Sequence, residues 1–181
     1  MREVCRDVHT EPPLLPVEPN SFNHSRTTTA DGARLDISAC GLVSTFERTF
    51  VDIRVSHPHA ASNVVLPLKD LYARNEKEKC DLYEERVRDV EKGSFEPMVF
   101  LTTGGAGTRC TKVLKRLATM IAEKKGEAYH HVLGFMRTKL RFSILKSTLM
   151  AIRGVRGKRH SEPNIGAVAF NMIPNQASYD T

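Results

Sequence analysis

A chain of 181 residues, 40% hydrophobic and 27% charged, is long enough for one packed core and apolar enough to fill it, which excludes global disorder and leaves little room for two full domains. No apolar run reaches bilayer-crossing length, and the opening residues, Met1 to Asp7, lack the apolar core of a secretory signal, so no membrane partner and a nuclear or cytoplasmic location are expected. The formal net charge of +6 is unevenly spread: residues 1–108 hold 13 Lys/Arg against 17 Asp/Glu, residues 109–160 hold 14 against 2, and residues 161–181 hold two acids and no base.

In chain order, Asp7 to Pro19 reads as a short strand entering a proline-rich extended stretch, because Pro bars helix and biases its predecessor to β. Residues 20–32 are a polar loop ending in the turn Asp31-Gly32. Ala33 to Ala39 has the period of a strand, with Leu35 and Ile37 on one side and Arg34, Asp36 and Ser38 on the other. After a turn near Gly41, Phe46 to Val55 predicts another strand, in which Asp52 and Arg54 share one face and Val51, Ile53 and Val55 the other. Ser56-His57-Pro58-His59 stops it. From Leu68 to Glu91 the apolar spacing predicts a long amphipathic helix, ended by Gly93. Phe95 to Thr102 reads as a buried strand, and Gly104-Gly105-Ala106-Gly107 as a turn. A clean stripe of Cys110, Val113, Leu114, Leu117, Ala118 and Ile121 predicts the next helix. Glu127 to about Ile152 predicts the last, with Tyr129, Val132, Leu133, Met136, Leu140, Ile144 and Ala151 turned inward. Beyond Gly154 the periodicity fails, although Ile165 to Ile173 suits an edge strand.

Three strands, a helix, a strand and two helices predict an α/β fold, a mixed central sheet flanked by helices with a helical basic C-terminal half. One domain is expected over residues 1–160, with an irregular tail over 161–181.

Carboxylates on adjacent strands are the minimum for holding a hard cation such as Mg²⁺ or Mn²⁺, and Asp36 and Asp52 supply them. Arg54, two residues past Asp52, projects from the same face and adds a cation for a charged phosphorus. Two acids on the solvent side of an antiparallel pair, bridged by a surface arginine, fit the same letters. Cys5, Cys40, Cys80 and Cys110 are scattered, with no C-x-x-C pair, and neither suggest zinc nor demand disulfides. The glycine run lacks the Lys-Ser/Thr of a nucleotide-binding loop, and His57 and His59 lack a metal-binding partner at the usual spacing. Arg137, Lys139, Arg141, Lys146, Arg153, Arg156, Lys158 and Arg159 form a set suited to nucleic-acid phosphates, in which Arg156 to His160 also fits a nuclear-import patch. A solvated basic helix carries the same pattern.

The pairing of Leu35-Asp36 with Asp52-Ile53-Arg54 resembles the PD-(D/E)XK superfamily, the restriction-endonuclease-like fold. More narrowly, Glu11 to Leu14, Ala33 to Ile37, Phe50 to Val55, Phe95 to Phe100 and Arg141 to Ser147 are similar to the endonuclease-like domains that follow reverse transcriptases in non-LTR retroelements; the likeness spans roughly residues 7–156. It implies a metal-dependent endonuclease acting on DNA, with Asp36 and Asp52 as metal ligands and a reverse transcriptase domain or its product as a further partner. It also implies a Lys or Gln from the helix after the acidic strands, for which Lys79 is the candidate and Lys77 the fallback. The family's leading helix, which often brings a Glu, has no counterpart ahead of the first strand; either Glu11 takes over that carboxylate or the helix is lost by truncation. Leu35 stands where the family has Pro. Arg54 stands where it has Lys, and an arginine cannot act as a base. That departure keeps two other readings open: a nucleic-acid-binding remnant of the same fold, and a non-enzymatic protein-interaction module.

Overall fold

β-branched and aromatic residues concentrate in four short segments, and these pair into one sheet. The computed structural model describes residues 1–17 and 26–153. Over them the order is β1 (Arg6–Thr10), β2 (Ile37–Cys40), β3 (Arg48–Ser56), α1 (Leu68–Asp89), β4 (Ser94–Leu101), α2 (Thr108–Lys125) and α3 (Tyr129–Arg153). The strands lie in the order β1-β2-β3-β4; the first three are antiparallel, and β4 runs parallel to β3. A parallel neighbour needs a crossover, and α1 provides it. The fold is thus α/β with a mixed four-stranded sheet and three helices. No described helix is long and apolar enough to cross a membrane.

The helices make two layers. On one face α1 covers the cluster Leu14, Leu35, Phe50, Val87 and Phe95. On the other, Ala39, Val51, Met98 and Phe100 pack against Leu114 and Leu117 of α2 and Val132 and Leu133 of α3. α2 stops at Gly126, whose φ of 67° is the left-handed conformation that ends helices cheaply only in glycine. Arg109 reaches from α2 around the outer edge of β4: Nε donates to Glu96 at 3.1 Å, while the terminal nitrogens reach Phe95 O at 2.9 Å and Glu84 and Cys80 on α1. It fastens the two layers across an edge that would otherwise be open to another strand.

Several expectations need correction. β2 begins at Ile37 and not at Ala33; Arg34 makes only an isolated bridge to Pro13. Ser38 is buried opposite Phe50, because α1 covers this face as well. Phe46 is 91% exposed in the turn before β3. Ile53 and Val55 are exposed although they share a face with buried Val51, because the helical layer stops short of this end of β3. There Ile53, Met98 and Phe135 line an open groove of about 740 Å³. On α3 the inward expectation holds for Val132 and Leu133, but Tyr129 and Ala151 are exposed. The edge strand expected at Ile165 to Ile173 lies outside the described residues.

Candidate functional site

β3 enters the layer beneath α1 through Phe50, and the two-residue period puts Asp52 on the same side as Phe50. Only 7% of Asp52 is exposed. From the fourth turn of α1, Lys79 descends until its Nζ is 2.6 Å from Asp52 Oδ2. The ammonium and this buried oxygen form a close ion pair. Lys79 also lies 5.7 Å from the ring centre of Tyr83, one helical turn on.

The β2–β3 register ends at Ile37 opposite Val51, and one further step sets Asp36 across from Asp52. Asp36 Oδ2 accepts the Ile53 N–H at 2.6 Å, which holds its exposed carboxylate against β3. Burial pushes the Asp52 carboxyl above its ordinary value, the Lys79 ammonium pulls it back, and the negative charge of Asp36 adds to the rise. Arg54 is expected to serve the Asp36–Asp52 site from the same face of β3, but its guanidinium is held by Glu78 on α1, which also lies 3.8 Å from Arg74.

Two carboxylates on neighbouring strands make the hard oxygen environment that suits Mg²⁺ or Mn²⁺. Asp36 and Asp52 therefore fit as two ligands of such an ion. Glu11 does not complete a set of three: its backbone N–H donates to Asp36 O at 2.9 Å, and among the described residues no three His, Cys, Asp or Glu side chains converge. The chain runs along β2 there, so Glu11 is tied to Asp36 by its backbone while its own side chain stays exposed.

Of the two lysines considered, Lys79 faces the acids and Lys77, two residues earlier, is exposed. His57 Nδ1 contacts Thr102 Oγ1 at 2.8 Å, and His59 packs on His57 edge to face. The glycine run is a turn pressed against α1. A Cβ at Gly105 would fall 2.1 Å from the Tyr72 hydroxyl, one at Gly107 would fall 2.3 Å from Glu76 Oε1, and that same oxygen accepts the Arg109 N–H at 3.0 Å. Glu76 thus caps α2 and is not the partner of Lys79.

The basic set divides. Arg137 and Arg141 line a cleft beside the glycine turn, whereas Lys139 lines the apolar groove with its Nζ 5.9 Å from the Phe135 ring centre. Lys146 and Arg153 follow Lys139 at seven-residue spacing, on the side of α3 away from Arg137. Arg156, Lys158 and Arg159 lie outside the described residues. α3 and the carboxylates also lie on opposite faces of the sheet, which no one-dimensional charge count reveals.

Sequence reasoning missed Glu78, which takes Arg54, and Arg109, which links α1, β4 and α2. The only signal for Glu78 was its place four residues after Arg74 on a helix; nothing in the letters marked Arg109. Comparison of the chain with models of known protein families, with curated proteins and with solved structures finds no match.

Proposed function

We propose that the chain is a metal-dependent DNA endonuclease domain with the restriction-endonuclease-like fold, of the kind that follows the reverse transcriptase in non-LTR retroelements. The observation that carries this reading is the approach of Lys79 Nζ to within 2.6 Å of Asp52 Oδ2, with Asp36 across the strand pair. A lysine on the crossover helix thereby reaches the acid that lacks its own lysine two residues later, since Arg54 stands there. The antiparallel β1-β2-β3 order, with β4 added parallel after a helix, supports the same reading.

Asp36 and Asp52 would hold Mg²⁺ or Mn²⁺, which when bound polarises a phosphodiester and makes hydroxide accessible near neutral pH. Lys79 opposes the rise that burial imposes on the Asp52 carboxyl and offers a proton-bearing nitrogen at the site. Arg54, once drawn from Glu78 by a stronger anion, faces a phosphate with a fixed fork of donors.

The test is Mg²⁺-dependent nicking of supercoiled plasmid. Asp52→Ala and Lys79→Ala are expected to lower the rate by about 100-fold or more, the scale of a lost acid–base or electrostatic group, with DNA binding retained. An Asp52→Ala protein that nicks as fast as the parent would sink the proposal. The engagement of Arg54 by Glu78 and the lack of a third acid favour one rival, a nucleic-acid-binding remnant without catalysis. Salt-sensitive DNA binding with no nicking in Mg²⁺ or Mn²⁺ would establish that rival.

A further inference from the structure

Where β4 ends, a cleft of about 290 Å³ opens between the Gly104-Gly105 turn, the start of α2 and the middle of α3. Its polar wall is Thr111 from α2 with Arg137 and Arg141 from α3. Four residues apart on a helix, the two arginines issue from one face. The absence of a side chain at Gly104 lets the Arg141 stem cross the turn, since a Cβ there would lie 3.0 Å from its Cγ. No acidic residue lines the cleft, and neither arginine has a hydrogen-bond or ion-pair partner among the described residues. Two unpaired cations facing one concave wall repel each other until an anion joins them. Two guanidinium forks and a hydroxyl match the oxygens of a phosphate group better than a single carboxylate.

We propose, on the strength of the nucleic-acid reading above, that this cleft seats a backbone phosphate of a nucleic-acid strand, away from the Asp36–Asp52 site. Phe100, in the cleft, pairs with Val55, three residues past Asp52. At strand rise that is about 10 Å along the sheet, and because the two sites lie on opposite faces a strand that reaches both must also cross the end of the sheet. A bound strand passes from one site to the other over the ends of β3 and β4, where Thr102 N–H donates to Ser56 O at 3.0 Å. The cleft fixes where the strand lies and leaves its sequence unread.

The full chain is titrated with a short DNA duplex over a range of salt, and separately with inorganic phosphate. The double variant Arg137→Ala with Arg141→Ala is compared with Lys112→Ala with Lys115→Ala, which removes the same charge from α2 outside the cleft. The arginine variant should bind all duplex sequences about equally more weakly, with its salt slope shallower by about one, while the lysine variant keeps the parent slope. Equal slopes in both variants, or no duplex binding by the parent at low salt, would overturn the cleft assignment. Tighter binding of inorganic phosphate than of duplex would overturn its nucleic-acid source. Nicking by the parent with equal variant slopes removes the cleft and leaves the catalytic proposal standing. A shallower arginine slope with undiminished nicking by Asp52→Ala does the reverse.

Discussion

At position 52 a carboxylate sits 7% exposed, paired with the Lys79 ammonium and close enough to Asp36 to feel its charge. Burial and the like charge both disfavour ionisation, and Lys79 offsets them only in part, so the folded state holds this carboxyl above its ordinary value. A raised value means that the stabilising contribution is complete in acid and is lost as pH climbs from the ordinary aspartate value of about 3.9 through the folded one. Asp52→Asn removes that titration. The parent should therefore lose stability relative to Asp52→Asn as pH rises from acid to neutral, as measured by urea denaturation at each pH. A constant difference, or one that moves the other way, would show that Lys79 fully compensates the buried charge.

Among the elements, α3 is the one whose two halves differ. Val132 and Leu133 are buried against α2, while Phe142, Leu145, Leu149 and Met150 are exposed by 45% or more. Helices in proteins draw most of their stability from a packed face, so the second half contributes little to the fold. Leu133→Ala should cost about 2–4 kcal/mol, the range for a buried leucine, and Leu145→Ala about 0.5 kcal/mol or less, as for surface changes. Equal costs in denaturant melts would mean that the far half is covered in solution. The period of α3 was readable in the letters; the point at which its apolar face leaves the body was not, because that depends on where α2 ends beneath it.

Across the whole molecule, Arg86 ties together segments far apart in the chain. It is fully buried, and its guanidinium donates to Leu15 O at 2.9 Å, Thr28 O at 2.9 Å and Ala30 O at 3.2 Å, which joins α1 to the segment between β1 and β2. Arg86→Ala should destabilise by about 3 kcal/mol, since several buried carbonyls lose their donor at once. Arg86→Lys should recover little of it, because an ammonium cannot span three carbonyls set for a planar fork. A thermal melt of Arg86→Lys that matches the parent would refute this account. The charge asymmetry counted along the sequence is also a whole-molecule quantity. The fold turns it into two basic sides of α3 and an acid site on the opposite face of the sheet, so any strand that touches both must round the ends of β3 and β4.

By itself the sequence determined the order of elements and the α/β class, because apolar period and turn chemistry are local properties. It also put Asp52 and Arg54 on one face of a strand, since strand alternation fixes which side each leaves, while Asp36 and Lys79 were named as their companions by the family resemblance. Only the tertiary structure decided that Arg54 pairs with Glu78, that Glu76 caps α2, and that Glu11 stays outside the site. It alone separated Arg137 and Arg141 from Lys139. Those outcomes depend on distances between elements far apart in the chain, and packing sets such distances while periodicity does not.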